Sequence, residues 1–242
     1  MTQAIGTLTN TVEQSAPGMT KMQEIAKLMW LPMFAMGGMV LIAALVIGGI
    51  ESVLTADLFD LDKATREGAN ASSSVLDKQQ FIASTQVWLP RFQLLGMGLL
   101  FGGITFLLAT ILGNLRLYGG LVQEHSGRKV LALTPPWSAQ AFPMLMMAGL
   151  VVLIAALVIS IVVAFTAGDV YANPISTING AEAGSGLLND FQTVQTFAAW
   201  LQTFAFAGLA LVLSGIVLAL YTIAQVLRFQ HERVAQLAEG AE

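Results

Sequence analysis

The sequence predicts an all-α integral membrane protein with four transmembrane helices, organised as a tandem parallel duplication of a two-helix hairpin. Three observations lead to this fold class. The 242 residues are 55% hydrophobic and only 11% charged, whereas a soluble domain carries roughly 25% charged residues on its water-facing surface. Four segments are long and apolar enough to cross a bilayer, and the chain repeats itself at a spacing of 112 residues.

The four predicted spans have the length that a helix needs to cross a hydrocarbon core about 30 Å thick, which is roughly 20 residues. They are Leu31–Ile50, Phe92–Leu115, Phe142–Phe165 and Phe197–Leu227. Their interiors contain no Asp, Glu, Lys, Arg or His, and Arg91, Arg116 and Arg228 stand at their ends. A soluble protein would have to bury four such helices completely, so we expect lipid to surround these segments.

One ungapped register relates the two halves of the chain. The heptapeptide LIAALVI occurs at Leu41–Ile47 and again at Leu153–Ile159, inside an eleven-residue stretch with nine identities. In the second helix of each half, twelve of 29 positions agree from Trp88 onwards, including the tryptophan, two glycines and a terminal arginine. Each half contains an even number of crossings, so the repeats are parallel rather than inverted. A pseudo-two-fold axis along the membrane normal is the expected packing.

The spans and the repeat divide the chain into five segments. They are an N-terminal segment (1–29), a first repeat (30–118) with an outer loop at 51–86, a connector (119–141), a second repeat (142–230) with an outer loop at 166–196, and a tail (231–242). Apolar residues at helical spacing between Met19 and Met29 predict a helix lying in the membrane interface. Turn-rich stretches well ahead of the second and fourth spans predict that these helices extend beyond the apolar segments.

Positive charges predict the orientation in the membrane. The two termini and the connector lie on one side and carry seven Lys and Arg residues, against four on the other side. Cytoplasmic segments accumulate Lys and Arg. Both termini are therefore predicted to be cytoplasmic, with the protein in a bacterial inner membrane.

Four tryptophans stand just before or at the start of a predicted span: Trp30, Trp88, Trp137 and Trp200. Tryptophan prefers the headgroup region of the bilayer, so we interpret these side chains as interface anchors rather than as ligand-stacking platforms. Trp30 and Trp88 each open a Trp-Leu-Pro tripeptide. Proline suits the first turn of a helix, where its missing amide has no partner, so both tripeptides fit the start of a spanning segment. Ser74-Val-Leu-Asp77 fits a capping box that opens the second helix about ten residues before its membrane part.

Small residues are the predicted contacts between helices, because packing in lipid depends on side chains that let backbones approach closely. The pair Gly96 and Gly103 lies on one helix face and recurs 112 positions later, while Gly98 and Gly102 form a GxxxG motif in the first repeat only. The predicted packing residues are Gly96, Gly98, Gly102, Gly103, Gly208 and Gly215. Polar side chains within the spans are predicted interhelical hydrogen-bonding partners, namely Thr105, Thr110, Asn114, Gln202, Thr203, Ser214, Thr222 and Gln225.

The sequence predicts no catalytic, cofactor or metal site. Proton relays and ion pathways place ionisable residues inside the membrane, and the spans contain none. His125 and His231 follow the second and fourth spans but do not correspond in the repeat, so we interpret them as solvated polar residues. The absence of cysteine excludes thiolate metal sites.

Acidic residues after the first span offer a second candidate metal site. Asp57, Asp60, Asp62 and Glu67 could supply oxygen ligands to calcium, but the glycine and the terminal glutamate of the calcium-loop motif are missing. We therefore interpret them as a solvated acidic helix start.

These features together predict a non-catalytic membrane subunit, a structural or accessory component that packs in a larger membrane complex. Its predicted partners are the lipid bilayer and either other integral membrane subunits or copies of itself. The net charge of −4, without a long basic run, argues against nucleic acid. The alternative is a channel or transporter whose pathway forms between protomers, lined by methionine-rich surfaces.

Overall fold

The computed structural model describes residues 17–125 and 136–239, and these residues form six helices without any strand. The helices are α1 (Pro17–Phe59), α2 (Lys63–Glu67), α3 (Ser73–His125), α4 (Ser138–Tyr171), α5 (Ile175–Asn179) and α6 (Gly186–Glu239). Four of them, α1, α3, α4 and α6, are long and apolar enough to cross a membrane. The prediction of an all-helical chain with four candidate spans is confirmed.

The long helices extend well beyond the apolar segments. Helix α3 begins at Ser73, ahead of the second predicted span, and α6 continues past the fourth span to Glu239. Helix α1 is helical throughout Pro17–Phe59, so the segment predicted to lie in the interface continues into the first span without an intervening break in the helix.

Pro32 and Pro90 of the Trp-Leu-Pro tripeptides do not lie in the first turn of a helix, where the sequence suggested that they would fit. Pro32 lies inside α1 and Pro90 lies inside α3, because both helices begin far upstream of the tryptophan. Pro143 likewise lies inside α4. Each proline removes one main-chain donor from its helix. Spanning helices tolerate this loss where neighbouring helices and local adjustments satisfy the carbonyl that is left over.

The helices group into two compact units, and each unit takes segments from all four long helices. Of the described residues, the first unit comprises 17–35, 100–125, 136–148 and 211–239, and the second comprises Met36–Leu99 and Gly149–Ala210.

In the first unit, buried side chains of α3, α4 and α6 form one cluster, made of Leu112, Phe142, Ala219 and Val226. A polar contact joins two of these helices, since the hydroxyls of Thr222 and Ser138 lie 2.8 Å apart and both residues are fully buried. Thr222 thus forms the interhelical hydrogen bond that the sequence predicts. Thr105 and Thr110 instead donate to the carbonyls of Phe101 and Phe106 in their own helix.

In the second unit, α3, α4 and α6 share a larger apolar cluster, formed by Val87, Val163, Ala164, Ala167, Val194 and Leu201. A separate cluster joins the end of α1 to the start of α3 through Leu58, Val75 and Ile82. The connection between these two helices is therefore packed, and α2 lies within it.

A side-chain cap, a hydrogen bond from α3 and a cation–π contact hold α2 in place. The Asp62 carboxylate accepts hydrogen bonds from the amide of Thr65 at 3.2 Å and from its hydroxyl at 2.6 Å, which caps the N-terminus of α2. The amide of Gln79 donates to the carbonyl of Arg66 at 2.8 Å. The Arg66 guanidinium lies 4.6 Å from the centre of the Phe59 ring.

We expect α2 to loosen at acid pH. Hydrogen bonds from Thr65 lower the pKa of Asp62, and the Arg66 guanidinium lowers the pKa of Glu67. A carboxylate whose pKa is lowered by folding stabilises the fold above its unfolded pKa, and this contribution is lost as the pH falls through the folded pKa. The protection of the amides of residues 63–67 against hydrogen exchange, measured relative to the intrinsic exchange rate at each pH, should fall over that acid range. An Asp62→Ala variant should lose part of this pH dependence, and an unchanged pH dependence would contradict the assignment.

Candidate functional site

The glycines of the first unit lie where two helices approach backbone to backbone. A Cβ atom placed on Gly103 of α3 would lie 3.0 Å from the carbonyl oxygen of Trp30 and 3.0 Å from the nitrogen of Phe34, both in α1. A Cβ atom on Gly215 of α6 would lie 3.0 Å from the carbonyl oxygen of Phe142 and 3.3 Å from the nitrogen of Met146, both in α4. Phe142 and Met146, the neighbours of Gly215, lie 112 positions after Trp30 and Phe34, the neighbours of Gly103.

The second unit contains a matching pair of contacts. A Cβ atom on Gly96 would lie 2.9 Å from Cγ1 of Val40 and 3.0 Å from Cγ of Leu41. A Cβ atom on Gly208 would lie 2.9 Å from Cγ1 of Val152 and 3.1 Å from Cγ of Leu153. Within each unit, the contact between α3 and α1 therefore corresponds, residue by residue in the repeat, to the contact between α6 and α4.

The GxxxG motif contacts a different helix. A Cβ atom on Gly98 would overlap Cδ1 of Leu153 and would lie 3.6 Å from Cδ2 of Leu150, so this glycine faces α4 of the same chain. Gly102, one turn further along α3, is buried as well. The first repeat thus uses one more glycine contact than the second, whose residue at the position equivalent to Gly98 is Ala210.

The tryptophans differ in exposure. Trp137 and Trp200 are exposed, whereas Trp30 and Trp88 are half-buried. The ring of Trp88 packs against Phe92 at a centroid distance of 5.6 Å, and the ring of Trp200 packs against Phe204 at 5.0 Å. These two aromatic pairs again occupy corresponding positions of the repeat. Their role as interface anchors stays a prediction.

A buried arginine is the polar feature that sequence reasoning missed. Arg91 of α3 is only 4% exposed. Its guanidinium donates to the carbonyl of Val87 at 2.9 Å and to the carbonyl of Ala198 in α6. Its Nε has no hydrogen-bond partner among the described residues. The feature of the sequence that could have indicated its burial is its position one turn past Trp88, inside a helix that begins far upstream.

Arg91 stabilises the second unit through its volume and its hydrogen bonds rather than through an ion pair, because no carboxylate forms a salt bridge with it among the described residues. Burial of a guanidinium carries a desolvation cost that offsets much of the gain from its hydrogen bonds, and methionine fills a similar volume, so we expect Arg91→Met to change the free energy of unfolding by about 1 kcal/mol or less. Arg91→Ala leaves a cavity and should cost on the order of 3 kcal/mol. Thermal unfolding in detergent compares the two variants, and equal destabilisation by both would contradict this account.

The remaining ionisable residues that the structure describes do not assemble into a site. Asp57 pairs with Lys78 at 3.2 Å, and Glu67 pairs with Arg66 at 2.8 Å. His231 is exposed on α6, while His125 is the last residue of α3. Among the described residues, no group of three or more His, Asp or Glu side chains is placed to hold a metal ion.

Comparison with known proteins adds no relative, since the chain matches no protein-family description, no curated protein and no solved structure. The helices themselves therefore define the class. The chain is an all-helical, multi-pass membrane protein with four candidate spans.

Proposed function

We propose that the chain is a non-catalytic membrane subunit, whose helices pack against other integral membrane subunits or against copies of itself. Its proposed location is a bacterial inner membrane with both termini in the cytoplasm, and the first turns of α1 lie in the membrane interface. We further propose that the chain arose by tandem duplication of a two-helix hairpin.

Corresponding contacts support the duplication. Trp30, Phe34, Val40 and Leu41 of α1 contact the glycines of α3, and the residues 112 positions later in α4 contact the glycines of α6. Composition alone makes apolar helices similar in sequence. Composition does not bring α1 against α3, and α4 against α6, at corresponding residues.

The exposure of α1 is the observation that carries the proposal of a subunit. In the apolar 18-residue segment of α1 only 17% of the residues are buried. In the apolar segment of α4, the counterpart of α1 in the repeat, 39% are buried. The exposed side chains of α1 are large and apolar, including Leu28 at 74% and Leu45 at 75%. Such a surface fits lipid and the small-residue contacts of neighbouring helices.

Extraction of the native membrane in mild detergent, followed by native mass spectrometry, tests the proposal. We expect the chain to appear within a discrete complex, either with other subunits or with further copies of itself. A lone monomer that neither binds a partner nor associates with itself would contradict the proposal. Solute flux through liposomes that contain only this protein would instead favour a channel or transporter.

A further inference from the structure

In the second unit, α3 and α4 cover each other along one face. Gly98 contacts Leu150 and Leu153. Val87 shares a buried cluster with Ala164 and its neighbours. A Cβ atom on Gly168 of α4 would lie 3.4 Å from the side chain of Gln80. This contact joins the second helix of the first repeat to the first helix of the second repeat.

The α6 residues that correspond to the covered face of α3 are exposed. Val87 and Leu94 are buried, but the residues 112 positions later, Ala199 and Phe206, are exposed, and Thr203 between them is exposed as well. The contrast is largest for the bulkiest pair, because Leu94 is 6% exposed and Phe206 is 51% exposed. We name Ala199, Thr203 and Phe206 the α6 face.

The α1 residues that correspond to the covered face of α4 are open in the same way. Leu150 is 6% exposed, whereas its counterpart Gly38 has no atom within 4 Å of a Cβ placed on it. Ala164 is buried and its counterpart Ser52 is exposed, and half-buried Leu157 corresponds to exposed Leu45. We name Gly38, Leu45 and Ser52 the α1 face.

The first unit, taken by itself, shows the same contrast. Thr105 of α3 is 1% exposed and its counterpart Val217 of α6 is 63% exposed. Met146 of α4 is 1% exposed and its counterpart Phe34 of α1 is 46% exposed. The repeat would place a contact between α6 and α1 that corresponds to the contact between α3 and α4. The residues at that place are more exposed than their counterparts in α3 and α4. The expected pseudo-two-fold packing requires these two contacts to be equivalent, and the exposures do not fit it.

We propose that the chain associates with itself head to tail, with the α6 face of one copy packed on the α1 face of the next. This contact would reproduce, between chains, the contact that α3 makes with α4 inside the chain. It rests on the proposed duplication and on self-association as the form of the proposed function. Small residues at Gly38, Ser52 and Ala199 permit the close backbone approach that helices in lipid require.

A second copy is the occupant that the repeat favours, because each face descends from one half of a contact that the chain already makes. The interface would be heterologous, since different patches meet. Such interfaces close into a ring where the rotation permits and otherwise continue as a filament. An unrelated subunit would have to match either face independently.

Cysteine crosslinking in native membranes tests the proposal, and the chain is suited to it because it contains no cysteine. Ser52→Cys and Ala199→Cys are introduced into separate, differently tagged copies, which are expressed together and treated with a short bis-maleimide. We expect an adduct at twice the mass of the chain that carries both tags. Each variant expressed alone should give little of it, because a head-to-tail contact brings position 52 of one copy against position 199 of another.

Two controls accompany the experiment. Val162→Cys lies on an exposed position of α4 and should not crosslink to Ala199→Cys. Gln80→Cys and Gly168→Cys within one chain should crosslink, which shows that the reagent reaches packed helices. Strong adducts from either single variant alone would indicate a symmetric interface, and no adduct would indicate that lipid or another subunit covers both faces. Either result overturns the proposal. The proposed function itself would survive if native mass spectrometry still showed a discrete complex.

Discussion

Replacing Gly103 or Gly215 by leucine is expected to abolish the tight helix pairing of the first unit. The Cβ atom of the new side chain would lie only 3.0 Å from a main-chain carbonyl oxygen, that of Trp30 for position 103 and that of Phe142 for position 215. Main-chain atoms move only when the whole helix moves. Overpacking commonly costs 1–3 kcal/mol, and we expect roughly 3 kcal/mol or more here. The thermal midpoint in detergent should fall for both variants.

Gly49→Leu is the matched control for this comparison. Gly49 is an exposed glycine of α1 with no atom within 4 Å of a Cβ placed on it, and its counterpart in the repeat is Ile161. A bulky residue is therefore expected to be tolerated at this position. If Gly103→Leu and Gly215→Leu melted like Gly49→Leu, the packing role of the paired glycines would be wrong.

Gly98→Leu is expected to destabilise the second unit by a comparable amount. Even the first side-chain atom would overlap Leu153, which is itself only 1% exposed and has no room to withdraw. Because this glycine faces α4 of its own chain, the variant should unfold at a lower temperature. A GxxxG motif that joins separate chains would behave differently.

Size measurement combined with thermal unfolding distinguishes these two roles. A Gly98→Leu variant with the parent's thermal midpoint but a smaller assembly would show that the motif joins chains. A thermal midpoint lower than that of Gly49→Leu would show that the motif stabilises a contact within one chain.

The small residues are the strongest packing signal in the sequence because close backbone approach leaves few alternatives, and their packing role stays a prediction that the leucine variants test. A Cβ atom at Gly103 would lie 3.0 Å from the carbonyl oxygen of Trp30, which is a tight contact, so a glycine retained in both halves is informative about packing. The hydrophobic lengths likewise predicted four spans, since a helix in lipid must satisfy its main chain internally. Neither signal indicates which partner helix a given glycine meets, and the contact of Gly98 with α4 was therefore not predicted.

Features that depend on side-chain reach or on helix ends escaped prediction. Arg91 was placed at the end of a span, but its long side chain reaches the carbonyls of Val87 and Ala198 and becomes buried. Ser138 lies ahead of the third apolar segment, yet it begins α4 and contacts Thr222. The prolines were misplaced because a proline beside a tryptophan marks the start of a span, whereas the helix itself begins in a polar segment upstream of the span.

Paired distance measurements in lipid test the central claim that the two hairpins pack alike. Spin labels at positions 42 and 95 report on the first hairpin, and labels at positions 154 and 207 report on the second. All four positions lie in the second unit. Pulsed electron paramagnetic resonance on the protein in lipid nanodiscs should give the same distance for both pairs. Distances that differ by a helical turn, about 5.4 Å, or more would contradict the claim.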